Sequence, residues 1–163
     1  MYIDLIGKRG ARAWSLHILS LLNQGVVGRQ APLLAASGAG RTAFAQSLSH
    51  LIELGVLERN PGHGHPLRPE FRLTPLGRAA AALADDVLRA SGNPVLVRRA
   101  WTVPGLSVLD TPRHFGEIGA RLPGITARPF SQSLVLMEEN RWVRPDLHVP
   151  ARPSRPSYCS IPT

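Results

Sequence analysis

The chain repeats itself, and that repeat restricts its architecture before any local reading begins. Arg12-Ala13-Trp14-Ser15 returns 87 residues later as Arg99-Ala100-Trp101-Thr102, and Phe44-Ala45-Gln46-Ser47-Leu48 returns 86 residues later as Phe130-Ser131-Gln132-Ser133-Leu134. Val56-Leu57 matches Trp142-Val143, and Pro69-Glu70-Phe71 matches Pro156-Ser157-Tyr158 in the same order. The offset change of one residue fits a single deletion in the loop near Gln24. Two domains follow, residues 1–91 and 92–163.

Within the first copy, Trp14, Ile18, Leu21 and Leu22 recur at helical spacing, with Gly25 as a stop. A second helix is expected from Arg29 to Ala36. The small-residue turn Ser37-Gly38-Ala39-Gly40 leads into a third helix from Arg41 to Leu54, with Phe44, Leu48, Leu51 and Ile52 on one face. Its other face carries Thr42, Gln46, Ser49 and Glu53. Val56 to Arg59 and Phe71 to Leu73 read as two strands around a Gly/Pro/His loop, Asn60 to Pro69. Thr74-Pro75 then caps and opens an alanine-rich helix reaching about Ala90. That order is a helix-turn-helix with a β-hairpin wing.

The second copy keeps the order with changes. Pro104-Gly105 interrupts its first helix, which is expected to be short or kinked. Phe115 to Leu122 is its second helix, Pro123-Gly124 its turn, and Thr126 the N-cap of a helix from Ala127 to Asn140. Its wing, Trp142-Val143 through Tyr158, holds four prolines and no glycine. No closing helix follows. The expected fold class is mainly α with small β-hairpin wings, two tandem winged helix-turn-helix units, the second lacking its C-terminal helix.

Charge narrows the partners. Nineteen basic residues against eleven acidic ones leave +8, and every basic residue except Lys8 is arginine. Such a balance favours polyanions. Each half carries +4, so net charge does not choose between the copies. One cysteine, Cys159, excludes an intrachain disulfide framework and a multi-cysteine zinc site, and fits a reducing cytoplasm. No run approaches the ~18 apolar residues of a membrane span. His63 and His65 lack neighbouring ligands for a metal site, and no phosphate loop, nucleophile elbow or His-Glu metal helix occurs. The chain reads as a non-enzyme without a cofactor.

The stretch from Pro112 to Arg144 resembles the HxlR family of winged-helix regulators, a branch near the MarR-type proteins. The resemblance is carried by His114-Phe115-Gly116-Glu117-Ile118, by Leu122-Pro123-Gly124-Ile125-Thr126-Ala127-Arg128, and by Leu134, Met137-Glu138 and Trp142-Val143. Trp14-Ser15 and Trp101-Thr102 are similar to that family's early Trp-Thr pair, and Leu73-Thr74-Pro75-Leu76-Gly77-Arg78 to its exit from the wing. The resemblance implies regulation of transcription by binding double-stranded DNA, in a homodimer joined by outer helices. Here the two copies form an internal pseudo-dimer, or residues 74–90 join two chains.

A helix about 10–12 Å wide fits the ~12 Å major groove and reaches base edges with its first turns. The expected DNA contacts are Arg41, Thr42, Gln46 and Ser49 in the first copy and Thr126, Arg128 and Gln132 in the second. Val135 and Leu136 are expected to project from the second helix, where apolar side chains are poor partners for phosphate. Wing contacts are expected from Arg59, His65 and Arg68, and from Arg152 and Arg155. The rival reading is a winged-helix protein-interaction module that has lost DNA binding in at least its second copy. A small-molecule effector held between Trp14, Trp101 and the helix of residues 74–90 is a third.

Overall fold

Helix α1 (Ser15–Asn23) begins directly after Trp14, ends with Gly25 in the left-handed region, and is buried on more than one side. A computed structural model of the chain describes residues 12–61, 69–99, 101–122, 124–146 and 157–161, in two units that divide between Pro94 and Val95. His65, Arg68, Arg152 and Arg155 lie outside the described residues, as do His63 and Pro123.

In the first unit, α1 is followed by α2 (Gln30–Ser37), α3 (Arg41–Glu53), the antiparallel strands β1 (Leu57–Asn60) and β2 (Glu70–Leu73), and α4 (Pro75–Ser91). The core joins Ile18 and Leu19 of α1, Leu33 of α2, Phe44, Leu48 and Leu51 of α3, and Leu57 and Phe71 of the hairpin. Trp14, Leu21, Leu22 and Ile52, expected inside, are only half-buried. For the three on or before α1 the reason is α4, whose small residues Gly77, Ala80, Ala81 and Ala84 let it lie closely along α1, so Leu16, Leu19 and Ser20 are buried instead.

That helix pair carries one polar clamp. Ser20 Oγ and Gln24 Nε2 each donate to Asp85 Oδ1 at 2.7 Å, and Arg89 lies 3.4 Å from the same carboxylate. The two hydrogen bonds, with the arginine charge behind them, hold the Asp85 carboxyl below its usual value. A carboxyl lowered on folding stabilises above its unfolded value, near 3.8, and loses that contribution as pH falls through the folded one. Asp85→Asn is therefore expected to reduce the acid dependence of the first unit, read from urea midpoints at pH 6 and pH 3. An unchanged pH dependence would exclude the clamp as its source.

The second unit contains α5 (Pro94–Val97), α6 (Thr102–Leu106), β3 (Arg113–His114), α7 (Phe115–Arg121), α8 (Ala127–Glu139), β4 (Val143–Asp146) and β5 (Ser157–Ser160). Its sheet has the order β3-β5-β4, antiparallel throughout. Leu96, Leu109, Ile118, Leu122, Phe130, Leu134, Met137 and Val143 form its core. As expected from Pro104-Gly105, α6 runs five residues where α1 runs nine. Gly105, which on sequence alone only weakens its helix, also has a packing role. A Cβ on it would come within 2.8 Å of Phe130 Cε2, so its absence lets α6 approach the ring.

The units also correspond in detail. Helices α3 and α8 each run thirteen residues and start 86 positions apart. The hairpins share a register: Leu57 faces Leu73 as Val143 faces Ser160. The isolated bridge Arg29–Glu70 stands where His114 pairs with Ser157.

Both thirteen-residue helices end in the same hydrogen-bonded turn. Val56 N–H donates to Leu51 O and Gly55 N–H to Ile52 O in one; Trp142 N–H donates to Met137 O and Arg141 N–H to Glu138 O in the other. The turn needs a left-handed residue, which is Gly55 at φ 70° in the first unit but Arg141 at φ 59° in the second. Arg141 is the one non-glycine residue with positive φ among the described residues. Such a side chain is strained, so Arg141→Gly is expected to stabilise the second unit by about 1 kcal/mol. A thermal melt that moved downward would contradict this.

Candidate nucleic-acid interface

Helix α3 turns one face inward and leaves the other to solvent. Phe44, Ser47, Leu48, His50 and Leu51 are buried, whereas Arg41, Thr42, Gln46, Ser49 and Glu53 are exposed. Spacings of three and four residues bring Thr42, Gln46 and Ser49 onto one stripe of side chains. Gly38, left-handed at φ 66°, closes α2 and turns the chain into α3. Gly40 at the N-cap offers no side-chain acceptor, so the first N–H groups of α3 keep their positive end toward solvent.

Helix α8 presents the same register. Arg128, Gln132 and Val135 stand 86 positions beyond Thr42, Gln46 and Ser49, all three exposed, with Phe130, Ser133, Leu134 and Met137 buried behind them. Thr126 occupies the N-cap with extended backbone and is exposed, but its side chain makes no capping hydrogen bond, contrary to expectation. Leu136 also departs from expectation. It is half-buried and packs against the core, because it falls at the edge of the buried face of α8, where neighbouring elements cover it. Val135 alone projects, 53% exposed. Beside it lies an open depression of about 440 Å³ lined by Arg99, Ser131, Gln132, Val135 and Leu136.

Six of the arginines fall into two groups. Arg72, Arg89 and Arg113 are held by Glu70, Asp86 and Asp110 within their own units. Arg41, Arg59 and Arg128 are exposed and make no ion pair among the described residues. Arg59 lies on β1, opposite Phe71. The cations on the two exposed helices and the first wing therefore keep their charge available.

Arg99, Arg141 and Arg144 are among the exposed arginines that the expected contacts omit. Arg99 lines the depression beside α8, Arg144 sits on β4 opposite Cys159, and Arg141 stands at the turn before it. The 86-residue offset was the available signal for Arg144, which occupies the second-hairpin place of Glu58. For Arg99 the signal was its place at the head of the repeated Arg-Ala-Trp, where it matches Arg12.

The chain is mainly helical with small antiparallel hairpins, an architecture compatible with the winged-helix class. No family model, curated protein or solved structure matches it. No described helix is long and apolar enough to cross a membrane.

Proposed function

We propose that this chain is a sequence-specific double-stranded DNA-binding regulator of transcription, HxlR-like, in which a winged helix-turn-helix unit has been duplicated. The observation that carries it is the outward stripe of α3, where Thr42, Gln46 and Ser49 stand exposed in a row behind Arg41, which makes no ion pair among the described residues. Glutamine pairs with adenine through two hydrogen bonds, and hydroxyls serve several bases. Arg59 on the wing supplies phosphate contact. The matching lengths of α3 and α8 and the shared hairpin register support the duplication. The same reading includes a cytoplasmic location, without cofactor or catalysis.

Fluorescence anisotropy with labelled genomic fragments tests this. If about four phosphates are neutralised, affinity falls about tenfold for each doubling of salt. Thr42→Ala with Gln46→Ala is expected to relax sequence preference while general binding remains. Arg59→Ala is expected to weaken all sequences alike. Absent or salt-independent binding would overturn the proposal.

The rival, a protein-interaction module, draws on Val135. It needs a continuous apolar surface, yet Val135 is the only large hydrophobic side chain of α8 that is strongly exposed. Single exposed apolar residues are ordinary on monomer surfaces. Dimerisation through α4 remains part of the proposal, although the outward positions Arg78, Ala82, Asp86 and Arg89 expose no large apolar side chain. Light scattering of the purified chain distinguishes a monomer from a dimer.

A further inference from the structure

We infer that the two units read unequal half-sites that share one base: an adenine faced by Gln46 in one and by Gln132 in the other, flanked in the second half-site alone by a guanine faced by Arg128 and a thymine methyl faced by Val135. This rests on the DNA-binding reading above and specifies what each helix selects.

The inference follows from the matched stripes. Residues 42, 46 and 49 and residues 128, 132 and 135 occupy the same turns of two thirteen-residue helices, and all six are exposed. Seven residues of α-helix rise about 10 Å, close to three base steps of about 3.4 Å each. Each stripe therefore addresses about three bases. The middle residue is glutamine in both, and its carboxamide matches the N6 and N7 edge of adenine.

The flanking residues differ in chemistry. Thr42 and Ser49 are short hydroxyls that donate or accept, so they discriminate weakly. Arg128 carries a planar fork of donors, free of any carboxylate among the described residues, and that fork matches guanine O6 and N7. Val135 has nothing to offer a polar edge. It can cover the C5 methyl of thymine, the one apolar group in the major groove. The surroundings of Val135 suit such a contact, since Leu136 continues the apolar floor of the depression, Ser131 and Gln132 border it, and Arg99 is exposed at its edge. Val135 thus becomes a selective contact, where the sequence alone makes it an argument against DNA.

The test is selection of duplexes from a randomised pool by the full chain, followed by affinities for the selected site. The expected consensus has two unequal half-sites, each with the adenine, and a G and a T in one only. Replacing that T by deoxyuridine removes only the methyl, and is expected to weaken the wild-type chain about fourfold. The Val135→Ser chain should not respond to the same replacement. Arg128→Ala should relax the G alone. Two identical half-sites, a single half-site, or a wild-type chain indifferent to deoxyuridine would overturn the inference and leave the DNA-binding reading intact. Failure to enrich any duplex would overturn both.

Discussion

Gly77→Ala is expected to destabilise the first unit by about 3 kcal/mol, against the usual direction of this substitution. An exposed glycine inside a helix costs about 1 kcal/mol relative to alanine, so propensity alone forecasts a gain. Gly77 is buried in the first turn of α4, and an added Cβ would run into the Val56 carbonyl oxygen. That oxygen also accepts from the Thr74 N–H at 3.1 Å, while Thr74 Oγ1 accepts from the Gly77 N–H at 3.0 Å and donates to Gly55 O at 2.8 Å. The start of α4 is thereby pinned to the base of the hairpin, and making room for a methyl means moving backbone. Overpacking of that kind costs roughly 1–3 kcal/mol and at times more. Gly116→Ala in α7 is the control, because a Cβ there meets nothing within 4 Å. Urea denaturation should move the midpoint down for Gly77→Ala and up for Gly116→Ala. A rise for both would remove the close approach from the account of the fold.

Phe130→Ala carries the larger expected loss, about 4 kcal/mol, because a buried aromatic ring leaves both transfer energy and a cavity behind. Phe130 is fully buried, its ring centroid lies 5.4 Å from that of Phe115, and α6 approaches it through Gly105. Three elements meet at that ring, so partial collapse cannot fill the space without moving α6, α7 or α8. In a unit of this size a loss of 4 kcal/mol lowers the melting temperature by about 16–32 °C. A shift below about 5 °C would show that the ring does not organise the core. The same substitution removes the support behind Gln132 and Val135, so on the proposed DNA-binding reading the preference at the second half-site should weaken with it.

Much of the fold was legible in advance, for identifiable reasons. The outward stripe Thr42, Gln46, Ser49 followed from helical periodicity, since the alternation of Phe44, Leu48 and Leu51 with polar residues admits one orientation. Thr74-Pro75 announced α4, and the Thr74 side chain does cap it. The third strand of the second unit was not legible, because Arg113-His114 is two residues long and pairs with Tyr158 and Ser157 more than forty positions away. Leu136 was misplaced because it falls at the edge of its helix face, where only the neighbouring elements decide whether a side chain is covered. The sequence-based contacts at His65, Arg68, Arg152 and Arg155 lie outside the described residues.

By itself, the amino-acid order determined the helices of both helix-turn-helix segments and the first hairpin, where α3 and α8 begin, and which of their faces is polar. Those properties arise between residues a few positions apart, through period, caps and turn-forming glycines. Tertiary structure alone decided that Gly77 and Gly105 are contact points rather than weak spots, that small residues bring α4 along α1, and that Arg99 stands beside Val135. Each of these depends on what a distant part of the chain places against a given atom, and close packing makes such meetings specific to the assembled unit.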